Sequence, residues 1–132
     1  MGNIMKIDRQ SVIFIVSVAF IVAAFSILLS FNIIGYGVEE KCRLAEERYG
    51  GDCVGALVAH LDDDSNSFRS RNSAVWALGQ LGDARGLPTL EAYFSGVPES
   101  RESLDETISQ YELQKAIKLI DGGFNLTAFF WR

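Results

Sequence analysis

Cys42, Cys53 and His60 are the side chains most able to act as nucleophile, metal ligand or proton carrier; the chain holds no other cysteine or histidine. A zinc site needs several His, Cys or carboxylate ligands grouped together, and none cluster with His60. Asp62, Asp64 and Asn66 begin the spacing of a calcium loop. Ser67 then stands where that loop turns on Gly, and Ser73 where its bidentate Glu belongs. A helix stop followed by a cap explains these residues better. The sequence spells no glycine-rich phosphate loop, nucleophile elbow or pair of catalytic carboxylates. No catalytic, cofactor-binding or metal-ligating residue is therefore expected, and no enzyme activity. Cys42 and Cys53 are either small buried hydrophobes or a disulfide confined to an oxidising compartment. The sequence leaves both open, because bonding depends on how the two cysteines face each other.

Before these residues comes an uncharged stretch from residue 10 to residue 38, whose part 12–34 is almost wholly aliphatic or Phe. Those positions would span roughly 35 Å as a helix, slightly more than a bilayer core. The rest of the chain is too short to surround a helix apolar on every face. A membrane helix over 11–34 is expected, after a short N-terminal segment, 1–10. Ser17, Ser26 and Ser30 fit within it, since a helical hydroxyl can bond back to the preceding turn. Gly35-Tyr36-Gly37 offers the small-x-small pattern that signal peptidase reads, but secretory apolar cores run about 7–15 residues. A retained anchor is expected, with 35–37 as a flexible linker.

The chain is acidic, with 17 Asp+Glu against 12 Lys+Arg and net charge −5. Lacking a basic stripe, it suits neither nucleic acid nor anionic headgroups. Lys6 and Arg9 precede the apolar run, while Lys41, Arg43 and Arg48 follow it, so the positive-inside count is nearly even. The signal-like start and the cysteine pair favour an extracytoplasmic domain on a single-pass anchor in the cell membrane.

The remainder reads as short helices separated by glycine. Helices are expected over about 38–49, over about 54–61 after an Asp52 cap, and over 67–81. The next carries Leu87, Leu90, Tyr93 and Phe94 on its buried face, with Pro88 either bending it or delaying its regular part to about Leu87. A longer helix, 104–121, turns Ile108, Tyr111, Ala116, Ile117 and Ile120 inward. Period-2 alternation is absent, so the class is all-α.

The run Arg71-Asn72-Ser73-Ala74-Val75-Trp76-Ala77-Leu78-Gly79-Gln80-Leu81-Gly82-Asp83 resembles the short HEAT-like repeat first associated with phycobilisome lyases. In that pattern Arg is followed three residues on by Ala, then by Ala-Leu-Gly and Gly-Asp. The resemblance is specific over 71–90 and weaker on both sides. It implies a short α-solenoid of about two and a half helical hairpins over 38–121, with Arg71 bridging to an acid of a neighbouring loop. Trp76 is expected as core or groove wall. The anchor-plus-repeat arrangement is similar to that of small membrane-anchored bacterial HEAT proteins. The resemblance implies a scaffold for an unidentified protein partner, as an accessory subunit of a membrane complex. The alternative is a lyase-like factor attaching a cofactor or chromophore, for which Cys42, Cys53 and His60 would have to supply reactivity.

The tail, 122–132, holds Phe124, Leu126, Phe129, Phe130 and Trp131, too apolar for a solvated end. It is expected to reverse at Gly122-Gly123 and cap the open inner face of the last helix. Docking on a partner or at a membrane interface is the rival.

Overall fold

The computed structural model describes residues 8–126 and 128–131. Lys6, Thr127 and Arg132 lie outside the described residues, as does the side chain of Phe130.

The first helix, α1 (Arg9–Tyr49), is one unbroken rod of 41 residues. It opens on Asp8, whose carboxylate accepts from the Ser11 N–H at 2.6 Å. Along the apolar run the Ser26 and Ser30 hydroxyls donate to Val22 and Ser26 carbonyls, and the Asn32 amide donates to Leu28. These three polar groups are thus satisfied within the helix, as a low-dielectric surrounding requires. None of the most apolar stretch is buried in the protein, and α1 is long and apolar enough to cross a membrane.

The expected linker at 35–37 is instead helical and lies within this rod. Its glycines serve contact. A Cβ on Gly35 would stand 2.9 Å from Trp131 Cβ, and one on Gly37 3.4 Å from Trp76 Cη2. Two tryptophans lie against the helix where it has no side chain, and their packing outweighs the roughly 1 kcal/mol per residue that Gly costs a helix.

Gly50 and Gly51, both at positive φ, turn the chain into α2 (Cys53–Asp62), capped by Asp52. A loop leads to α3 (Phe68–Leu81), capped by the Ser67 hydroxyl and closed by Gly82 in the left-handed region. A 3-10 turn (Ala84–Gly86) then leads into α4 (Leu87–Tyr93), with Pro88 in its first turn. There the missing N–H costs nothing.

The last regular helix, α5 (Gln110–Ile120), begins later than 104 because two capping groups stop it there. The Ser109 hydroxyl accepts from the Glu112 N–H. The Glu102 carboxylate, arriving from the preceding loop, accepts from the N–H groups of Gln110 (2.8 Å) and Tyr111 (3.1 Å). Ser-x-x-Glu over 109–112 is a helix-start signature. The inward face is Leu113, Ala116, Ile117 and Ile120, and Tyr111 falls off it. Tyr111 points outward at 55 % exposure, and Leu113 takes the core position.

The described residues form no strand. They make an all-α chain whose compact part is a short solenoid: α1 packs on α2, α2 on α3, and α3 on α5, with α4 also against α5. The core runs through Leu57, Leu61, Val75, Leu78, Leu90 and Leu113, all fully buried, each contributing about 1.5–3 kcal/mol. Against α3, α5 crosses very closely. A Cβ on Gly79 would lie 2.7 Å from Ala116 Cα.

The tail reverses at Gly122 and Gly123, where the Gly123 N–H bonds to the Lys118 carbonyl at 2.7 Å. A cap over α5 was expected; among the described residues the tail lies with its short 3-10 turn chiefly against α1. It passes the end of α3, where the Asn125 amide donates to Gln80 at 3.0 Å, and reaches α1 at Gly35. Ala128 is buried, whereas Phe124 and Phe129 are exposed.

Candidate binding groove

Three helices meet around the middle of α3 and leave a groove of about 340 Å³. Asn72, Ser73 and Trp76 come from α3, Lys41 from α1 and Glu112 from α5, with Leu104 from the loop before it. Arg69 closes one end. The surface is therefore mixed: an indole and Leu104 supply apolar area, while cations and a carboxylate stand at the rim.

Each wall has an identifiable support. Half-buried Trp76 is held from behind by the bare backbone at Gly37. Leu104 belongs to the irregular segment 95–109, whose position Asn72 controls from a buried site. The Asn72 amide nitrogen donates to the carbonyls of Leu104 (3.0 Å) and Thr107 (2.8 Å), and its oxygen accepts from the Ser109 N–H (2.8 Å). Outside, Arg69 clasps Asp105 through two bonds of 2.6 and 2.7 Å. That pair lowers the Asp105 pKa and raises that of Arg69. Burial pushes the Glu102 carboxyl up, but the Gln110 and Tyr111 N–H groups and the Ser109 hydroxyl outweigh it and hold the pKa below the usual range. Among the described residues Lys41 forms no ion pair, so its ammonium is available at the rim.

Cys42 and Cys53 form a disulfide with Cα atoms 4.8 Å apart, joining α1 to the start of α2. Neither is a free thiol. His60 is half-buried, and its Nε2 lies 2.8 Å from the Ser70 hydroxyl. Burial, then the nearby Arg48, lowers its pKa, against a smaller opposing pull from Asp63. The acids of the calcium-like spacing are occupied by protein: Asp62 accepts from Tyr93 at 3.0 Å and Asp64 pairs with Arg71 at 2.8 Å. Among the described residues no group of three or more His, Cys, Asp or Glu could hold a metal.

Arg71 is a structural hub outside the groove. Its guanidinium donates to the Leu61 carbonyl (2.7 Å) and the Tyr93 hydroxyl (3.2 Å), and meets Asp64 in the loop before α3. One buried cation thereby joins α2, α3 and α4, with all its partners made of hydrogen-bond acceptors, as burial of a charge demands. Trp131 is half-buried and lies on the far side of α1 from the groove's rim, at Gly35. Sequence reading thus found Trp76 but missed Asn72, Glu102, Lys41 and Arg69. An Asn in the apolar stripe of α3 was the one signal available, because a buried amide has to be fully bonded.

Residues 70–96 match the family described as PBS lyase HEAT-like repeat. The match covers most of α3, the 3-10 turn and α4, so the chain contains a HEAT-like repeat at its centre. No curated protein and no solved structure matches the chain.

Proposed function

We propose that the protein is a single-pass membrane scaffold that holds the groove over α3 toward a protein partner, as an accessory part of a membrane complex. The observation that carries this is the continuity of α1. The apolar run and the first helix of the repeat are one rod, so an anchor in the bilayer would also set the direction of the groove. The same continuity favours an anchor over a cleaved signal. Gly35 and Gly37 are helical and covered by Trp131 and Trp76, with Tyr36 between them exposed, whereas proteases cut exposed, irregular chain. The disulfide supports a domain outside the cytoplasm, where thiols oxidise.

A groove with an aromatic floor and charged rim suits a peptide segment carrying an apolar side chain beside an acid for Lys41. An attachment factor finds less support, because the cysteines are spent on each other, His60 is engaged by Ser70, and none of the three lines the groove.

The test is a photo-reactive side chain placed at Trp76 in the full chain, in native membranes. A stoichiometric protein adduct that disappears when the probe moves to exposed Glu91 on α4 supports the reading. Labelling of lipid alone, or the same adducts from both positions, overturns it.

A further inference from the structure

Below the repeat, α1 keeps one covered stripe. Phe31, Ile34, Gly35, Val38 and Cys42 are shielded, while Asn32, Ile33 and Tyr36 between them are exposed. The spacing of 3, 1, 3 and 4 residues is one helix face. Above Gly37 the repeat covers it; at Gly35 the cover is Trp131. Gly35 immediately follows the apolar run, so the C-terminus of the chain returns to the height at which the run ends. Leu81, at the end of α3, lines a cleft of about 520 Å³ together with Asn32, Tyr36 and Trp131. The end of α3 and the tail beside it therefore stand at that same level.

At this level the tail exposes large apolar side chains. Phe124 is 87 %, Phe129 85 % and Leu126 53 % exposed. Large apolar side chains exposed together over so short a stretch mark a contact surface. Trp131, half-buried on Gly35 with its indole N–H out of water, holds the tail at this level. The first charges beyond the run on α1 are Glu39 and Glu40, so attraction to anionic lipid is not the driving term.

We propose that the C-terminal tail is a second membrane contact: Phe129, with Phe124 and Leu126, inserts at the headgroup–acyl boundary of the bilayer that α1 crosses, pinned there by Trp131 on Gly35. This rests on α1 being a retained span. The α1 rod already carries the repeat at a set direction from the bilayer, and a second contact adds a restraint on rotation of the rod about its own axis.

The experiment uses the full chain in phosphatidylcholine vesicles, with Trp76→Phe, Trp131→Phe and Phe129→Trp combined so that position 129 carries the only indole. Lipid brominated near the carbonyl should quench its emission at least twofold, and aqueous iodide should quench it far less than free tryptophan amide. Trp76→Phe alone, with Trp131 as reporter, should show the same shallow quenching in an otherwise native tail. Protein that stays in the vesicles after an alkaline wash, yet is quenched by iodide and indifferent to bromolipid, overturns the proposal while leaving the anchor intact. Release by the alkaline wash overturns the anchor, and this proposal with it.

Discussion

Gly79 and Ala116 bring the backbones of α3 and α5 together more closely than any side chain at residue 79 would permit. An added Cβ would stand 2.7 Å from Ala116 Cα and 2.8 Å from its Cβ. Gly79→Ala should raise helix propensity by about 1 kcal/mol. It also forces a backbone apart, and overpacking of a tight core costs about 1–3 kcal/mol. The clash wins, because the atoms met belong to a helix and cannot rotate away. We expect a lower melting temperature by circular dichroism for Gly79→Ala, and a larger drop for Gly79→Val. A higher melting temperature for the alanine variant would show that the helices separate freely.

Asn72 is expected to control the loop at the groove mouth. Asn72→Ala removes the bonds to Leu104, Thr107 and Ser109, and each buried group left unpaired costs about 1–3 kcal/mol. Amide exchange should rise through residues 101–110 well before the α2–α3 core opens. Uniform acceleration over the whole domain would instead make Asn72 an ordinary core residue.

The pH dependence follows from His60. Its folded pKa is depressed below 6.5, first by burial and then by Arg48. Between that lowered value and 6.5 the unfolded chain binds a proton that the folded chain refuses, so stability falls as pH drops through this window. Glu102, also depressed, acts only lower: its contribution is present above the ordinary carboxylate pKa and is lost as pH falls through its folded value. The melting temperature should therefore decline from pH 7 to pH 5.5 in the native chain and stay flatter in His60→Gln. Equal slopes would assign the change to other groups.

Cys42 and Cys53 close a loop of 11 residues, for which the chain-entropy account predicts stabilisation on the order of 2–3 kcal/mol. Alkylation of freshly isolated membranes should modify neither cysteine before reduction and both after it. Two free thiols would argue for a cytoplasmic domain.

The mature chain should retain α1. Intact mass beginning at Val38 would make the apolar run a removed signal, and would strip Gly35 and Gly37 from beneath Trp131 and Trp76.

Some of this was legible in the residues because the causes are local. An uncharged apolar run needs no partner to declare its length. Asp52, Ser67 and Gly82 mark helix ends through bonds to their own neighbours, and Arg71 to Leu90 carry the spacing of a HEAT-like repeat. The all-α class followed from that periodicity. Gly35 and Gly37 misled because a glycine chosen for flexibility and one chosen for close contact are the same letter, and only Trp131 and Trp76, distant in sequence, tell them apart. The start of α5 was missed for a related reason: Glu102 caps it from a loop. That the tail ends against α1 is decided by Trp131 meeting Gly35, a contact between distant parts of the chain that no short stretch of sequence contains.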